Sequence, residues 1–293
     1  MELKQLELTG GAKLTVYLRT PSEAMPSALV RPLVLVVPGG GYNHVSPREG
    51  DPVALQFAAA GYHTAVLEYS VGDAAADFQP LRQISQAIGL VRTHAAAWGV
   101  EPEKIAVCGF SAGGHLALSS AVLTLPGAEG AAQPRPNAVV LGYPVISAGA
   151  YAHRGSFEQL AASQDPAAQQ VFSLEDKITP EVPPVFVWHT MEDQTVPVEN
   201  TLLLTAALRK AGVPCEVHLF QKGVHGTSIS TAEVGADSAH RRHWTASIRR
   251  FIISSHALPP GRAARLRRWS GWPIRWISIF NRTHLQKNSQ KFR

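Results

Sequence analysis

The segment Cys108-Gly109-Phe110-Ser111-Ala112-Gly113-Gly114-His115 limits what this chain can fold into more than any other, because it joins an apolar run, Ile105 to Val107, to a helix-compatible stretch. A Gly-x-Ser-x-Gly string at a strand-to-helix junction is the signature of a sharp turn that holds its serine out at the edge of a sheet. Such a turn forces the serine backbone into a strained conformation. Small residues two places to either side, here Gly109 and Gly113, keep neighbouring atoms from clashing. Ser111 is therefore the candidate nucleophile. The turn also aims the Ala112 amide and the start of a helix at the space above Ser111, where a carbonyl oxygen under attack becomes negative. Alone, the pentapeptide also fits a flexible loop, and three further segments separate the two readings.

Leu33-Val34-Leu35-Val36-Val37 reads as a buried strand and runs straight into Pro38-Gly39-Gly40-Gly41-Tyr42. Glycines expose backbone amides without obstruction, so Gly40 and Gly41 are candidate oxyanion donors alongside Ala112. An ordinary glycine-rich turn stays open; a phosphate cradle lacks the Gly-Lys-Ser/Thr that should follow. Val185-Phe186-Val187-Trp188-His189 is a further strand, and the acids Glu192 and Asp193 lie just beyond it, where catalytic groups gather in an open α/β sheet. The two compete for one role, and burying both charges would be costly, so one should face solvent. Cys215 to Phe220 is strand-like and leads to Gly223-Val224-His225-Gly226, which puts His225 on a loop at the same edge. A loop histidine is by default a solvated side chain. The chain order Ser111, Asp193, His225, however, is that of a serine, acid and histidine relay.

On these residues the chain resembles the α/β-hydrolase fold esterases, and more narrowly the small bacterial acetylesterases and acetyl-xylan-esterase-like proteins. The resemblance spans roughly residues 1 to 256. Its most specific pieces are Pro38 to Tyr42 with Ser46-Pro47-Arg48-Glu49-Gly50, Gly109 to His115, and Trp188-His189-Thr190 with Asp193-Gln194-Thr195-Val196-Pro197. It implies Ser111 as nucleophile, Asp193 as acid, His225 as base, and oxyanion donors at Gly40 or Gly41 and at Ala112. Pro38 stands where lipase-like relatives carry the histidine of His-Gly-Gly-Gly, which moves the reading away from them. The implied activity is hydrolysis of a small acyl ester, acetyl foremost, with an acetylated saccharide as the implied substrate and no cofactor. A peptidase or formamidase using the same triad is the first alternative. A non-catalytic binding protein on the same scaffold is the second.

A chain of 293 residues suits one α/β domain with a sizeable core. The strands beginning near Leu33, Thr64, Ile105, Ala138 and Val185 are continuous apolar runs, as expected where helices cover both faces of a mostly parallel sheet. Leu81, Ile84, Ile88 and Val91 recur at helical spacing with Gly99 as a stop, and Val198 to Ala211 fits a helix ended by Gly212. Leu3 to Leu8 and Lys13 to Leu18 alternate across Gly10-Gly11, predicting an N-terminal antiparallel hairpin. Val145 to Pro184 contains no strand, only short helical pieces such as Phe157 to Ala162, and is too short for a large cap domain. The site is then open, with Tyr42, Asn43, Phe110 and Tyr143 as substrate-binding candidates beside His44, Tyr69 and Pro144. Core packing competes for each aromatic.

Cys108 and Cys215 are the only cysteines, both beside strands, and read as buried free thiols; cysteine nucleophile chemistry at Cys108 is disfavoured by its place three residues before Ser111. The twelve histidines form no ligand cluster, and the run His240 to His243 lies on a basic helix face, so no metal is expected. The N-terminus lacks a signal-peptide core and no run reaches the ~18 to 20 apolar residues that span a bilayer, which predicts a cytoplasmic protein. The net charge of +5 is unevenly distributed: residues 257–293 hold nine Lys/Arg and no acid, leaving residues 1–256 at −4. That tail mixes arginines with Trp269, Trp272 and Trp276, and reads as a flexible appendage able to touch anionic surfaces weakly, with no specific nucleic acid. The predicted division is thus 1–256 for the hydrolase domain and 257–293 for the tail.

Overall fold

The structure is a computed structural model that describes residues 1–26, 29–127 and 133–235. Its strands are β1 (Glu2–Glu7), β2 (Lys13–Leu18), β3 (Arg31–Val37), β4 (His63–Glu68), β5 (Val100–Phe110), β6 (Ala138–Gly142), β7 (Val185–Thr190) and β8 (Cys215–Phe220). They form one eight-stranded sheet in the order β1-β2-β4-β3-β5-β6-β7-β8. The hairpin β1/β2 and the pair β2/β4 are antiparallel, and every pair from β4 to β8 is parallel. Helices α1 (Asp51–Ala59), α2 (Gln79–Thr93), α3 (Ala95–Trp98), α4 (Ala112–Val122), α5 (Arg154–Ala161), α6 (Pro166–Gln169) and α7 (Glu199–Ala211) fill the connections. This is the α/β-hydrolase fold with its N-terminal hairpin.

Parallel pairing needs crossovers, and the crossover helices explain why β6 and β7 are buried at every residue. Alternate residues divide between two layers. Leu33, Leu35, Val107, Leu141 and Val187 face Ile84 and Ile88 of α2, Leu116 of α4 and Leu204 of α7. Val34, Val36, Cys108, Val140 and Trp188 face Val53 and Phe57 of α1 together with Ile229 and Val234. Each large apolar side chain fully buried in these layers contributes about 1.5–3 kcal/mol.

Two local expectations are refined. The helical pattern before Gly99 splits, because His94 leaves the helical region (φ −93°, ψ 3°) and stacks on Trp98 with ring centroids 4.7 Å apart. Gly99 still ends the segment with φ +64°, where a Cβ would stand 2.7 Å from the Leu29 carbonyl oxygen. Cys215 is exposed rather than buried, since it opens β8, the last strand in the sheet order; Cys108 is buried as expected.

The strandless stretch from Val145 to Pro184 carries α5 and α6 and sinks Phe157, Leu160, Phe172 and Leu174 into the main core. No helix among the described residues is long and apolar enough to cross a membrane. The run His240 to His243 and the tail 257–293 lie outside the described residues.

Candidate active site

Between β5 and α4, Ser111 has φ 52° and ψ −120°, a region non-glycine residues rarely enter, at a strain of about 1–3 kcal/mol. The turn is held by hydrogen bonds: the Ser111 amide donates to the Gly142 carbonyl at 3.0 Å, and its own carbonyl accepts from the amides of His115 and Val145, both at 3.1 Å. Crowding explains the flanking glycines. A Cβ on Gly109 would stand 2.1 Å from the Gly113 carbonyl oxygen, and one on Gly113 would stand 2.2 Å from that of Val37.

Three loops at the carboxyl ends of β5, β7 and β8 bring Ser111, Asp193 and His225 together. His225 Nε2 lies 2.8 Å from Ser111 Oγ, and His225 Nδ1 lies 2.6 Å from Asp193 Oδ2. With Nδ1–H donating to the carboxylate, Nε2 is the acceptor for the serine hydroxyl. Asp193 Oδ1 accepts from the amides of Thr195 and Val196, each at 2.9 Å, and Oδ2 also accepts from His189 Nε2 at 3.2 Å. His189 is oriented for this because its Nδ1 accepts from the Thr201 hydroxyl at 2.8 Å. Burial alone would raise the Asp193 carboxyl, but the hydrogen bonds from His189 and His225, the charge of His225 and the Val196 amide outweigh it and hold Asp193 well below the usual carboxylate range. Of the two competing acids, Asp193 is buried within this network. Glu192 is exposed, with Oε2 3.4 Å from the Gly223 amide.

The loop after β3 lies against the same turn, where a Cβ on Gly39 would stand 3.0 Å from Ser111 Cβ. Gly40 and Gly41 have φ +127° and +64°, and a Cβ on Gly40 would stand 2.0 Å from the His44 carbonyl oxygen. Among the described residues the amides of Gly40, Gly41 and Ala112 donate to no acceptor, whereas the Gly39 amide is committed to Glu49 Oε2 at 2.8 Å. The loop thus leaves two amides without an acceptor among the described residues, directly after Gly39, the residue that lies against Ser111.

The four predicted substrate-binding residues fare differently. Tyr42 is fully buried and donates to His115 Nδ1 at 2.8 Å, and Phe110 is fully buried in the layer beneath the site. Tyr143 is buried too, its hydroxyl 2.6 Å from Glu49 Oε1 and its ring edge-on to His225 with centroids 4.9 Å apart. These three are packing and support residues, not walls, because the sheet and its helices close over them; Asn43 alone stays exposed. Two neighbours had no assigned role in the sequence reading. His153, at the start of α5, hydrogen-bonds through Nδ1 to Ser156 Oγ at 2.8 Å, and its Cε1 lies 3.6 Å from where a Gly41 Cβ would be. Burial and then the charge of His225 lower its pKa, against the opposing pull of Asp193. Nothing in the strandless stretch signals that position. Glu49 is the other, a buried carboxyl whose pKa burial raises against its hydrogen bonds from Tyr143 and Gly39.

Cys108 is not part of the site: burial, followed by the charge of Glu49, pushes its thiol far up, away from the reactive thiolate. Among the described residues no group of three or more His, Cys, Asp or Glu could hold a metal ion.

The fold and the serine at its strained turn define an α/β-hydrolase. The BD-FAE family matches residues 18–134, and the prolyl oligopeptidase family matches residues 81–254, more than half of the chain. The chain belongs to the prolyl oligopeptidase family of α/β-hydrolases. It is 35% identical over 213 residues to endo-1,4-beta-xylanase B of Butyrivibrio fibrisolvens, covering 69% of this chain and 33% of that protein. It is 31% identical over 207 residues to the acetylxylan esterase of Xylanibacter ruminicola, covering 68% of this chain and 41% of that protein. The chain therefore spans well under half the length of both relatives. Among solved structures, an acetyl ester-xyloside bifunctional hydrolase from Caldicellulosiruptor lactoaceticus superposes with a TM-score of 0.71 at 33% identity, over 86% of this chain and 91% of that one.

Proposed function

We propose that this chain is a serine esterase that removes short acyl groups, acetyl foremost, from the hydroxyls of a saccharide. The observation that carries the reading is the continuous hydrogen-bonded chain from Ser111 Oγ through His225 to Asp193, set beside amides that have no other acceptor among the described residues. Ser111 gives its proton to His225 Nε2 as Oγ bonds to the ester carbonyl carbon. The amides of Gly40, Gly41 and Ala112 stabilise the oxygen that becomes negative. Asp193 keeps the imidazole in the useful tautomer and stabilises its charged form without taking the proton. The tetrahedral species collapses as the carbon–oxygen bond to the alcohol breaks and His225 returns the proton to the leaving oxygen. Water then repeats the sequence on the acyl-enzyme, releasing the acid and restoring Ser111.

The acetyl and saccharide preference draws on the acetylxylan esterase and the acetyl ester-xyloside hydrolase among the similar proteins. Short acyl groups also suit the folding of the strandless stretch Val145 to Pro184 into the core, which leaves little material for an acyl tunnel among the described residues. The match to the prolyl oligopeptidase family keeps amide cleavage, of a peptide or formamide, as the second reading. Initial rates on p-nitrophenyl esters of two to twelve carbons, on acetylated xylo-oligosaccharides and on a proline p-nitroanilide test both. The expected order is acetyl above octanoyl, with turnover of the acetylated saccharide and none of the anilide; a kcat/KM higher for octanoate, or for the anilide, would overturn it. Stoichiometric fluorophosphonate labelling of Ser111 is expected in the folded protein, and its absence would favour the non-catalytic scaffold.

A further inference from the structure

Beside Ser111, His225 and Asp193 stands a second buried hydrogen-bonded chain that the reaction as written does not use. Glu49 Oε2 accepts from the Gly39 amide at 2.8 Å, next to the Gly40 and Gly41 donors. Glu49 Oε1 accepts from the Tyr143 hydroxyl at 2.6 Å, and that hydroxyl oxygen accepts from the Ser228 amide at 2.8 Å, on the loop three residues past His225. Arg48, the preceding residue, joins in through its carbonyl and its side chain. Ser228 Oγ donates to the Arg48 carbonyl at 2.5 Å, while Arg48 Nε and Nη2 donate to the carbonyls of Val234 and Gly226 at 2.7 and 2.8 Å. One short segment thus grips the oxyanion loop with one carboxylate oxygen and the histidine loop with the other.

We propose that Glu49 is a positioning residue for catalysis: its carboxylate, relayed by the Tyr143 hydroxyl, fixes the separation of the Gly40–Gly41 amides and His225 across Ser111. A carboxylate suits the task because it accepts at both ends, and both partners here are donors. A glutamine side chain in its place would offer one acceptor and one donor. If that amide nitrogen faces Tyr143, the phenol oxygen meets two donors and its own proton loses its partner. A buried charge is costly to keep, so its presence is not explained by stability. Misplacing a reacting group by ~1 Å costs about 10²-fold in rate.

The inference rests on the esterase reading, and the two fail separately. Glu49→Gln, Tyr143→Phe and the double variant are assayed on p-nitrophenyl acetate, with kcat expressed per Ser111 titrated by fluorophosphonate and folding followed by thermal melting. The expected result is a kcat lower by about 10- to 100-fold in each single variant with KM within about threefold, and a double variant no slower than the worse single, because both act through one relay. Tyr143→Phe keeps the buried ring, so it decides the matter if Glu49→Gln fails to fold. Wild-type kcat per titrated serine in the folded single variants, losses that multiply in the double, or a fall confined to melting temperature would overturn the proposal. A wild-type protein that takes no fluorophosphonate would sink the esterase reading instead.

Discussion

At Ser111 the backbone stores strain that no packing need explains, and the hydrogen bonds from Gly142, His115 and Val145 hold it there. Ser111→Ala is expected to fold and to lose turnover on the order of 10⁶-fold, the scale for removal of a triad nucleophile; more than a tenth of wild-type activity in a clean preparation would assign the nucleophile elsewhere. The acid is tested by order rather than size. Asp193→Asn removes the anion that orients His225, whereas Glu192→Gln alters an exposed side chain, so the first variant should be far slower. Kinetics in which Glu192→Gln is the more damaged of two folded variants would reverse the assignment. The adjacent acids were indistinguishable by type; burial separates them, and burial belongs to the folded chain.

Helix α4 does more than aim Ala112. Its His115 is buried between the Tyr42 hydroxyl, from which Nδ1 accepts, and the Phe172 carbonyl, to which Nε2–H donates at 2.8 Å, so it fastens the strandless stretch to the elbow helix. Burial lowers its pKa from 6.5 to about 4, the Phe172 carbonyl opposing only in part. The unfolded chain therefore binds this proton between pH 6.5 and about 4 while the folded chain does not, so stability falls as pH falls through that window. A shift of this size corresponds to about 3 kcal/mol. Glu49, raised by burial, acts with the opposite sign, since folding then favours its protonated form as the medium acidifies. Urea unfolding of wild type and His115→Gln at pH 7.5, 5.5 and 4.5 separates the two: the variant should be weaker at pH 7.5 yet show the flatter slope. Parallel slopes would mean His115 titrates normally in the folded state.

Across the whole molecule the charge is divided: −4 over residues 1–256 and nine basic residues beyond. Every residue of the proposed mechanism precedes residue 257. Deleting 257–293 is expected to leave kcat/KM on p-nitrophenyl acetate within about threefold and to abolish salt-sensitive adsorption to anionic vesicles. A loss beyond about tenfold, equivalent to ~1.4 kcal/mol, would put the tail into the catalytic unit.

What the sequence determined by itself was whatever is written in local pattern. Continuous apolar runs marked parallel strands, alternation across Gly10-Gly11 marked the hairpin, and glycines around Ser111 marked the elbow, because strand period, turn sterics and backbone strain act over a few residues. The order Ser111, Asp193, His225 was legible for the same reason, each residue following its own strand. Tertiary structure alone decided which side chains were wall and which were core: Tyr42, Phe110 and Tyr143 border the catalytic loops in sequence yet are buried. It alone brought Glu49 within 2.6 Å of Tyr143, 94 positions away, and set His153 over Gly41. Such contacts depend on how crossovers stack against a sheet, and solvent exclusion at that distance leaves no periodicity in the chain to read.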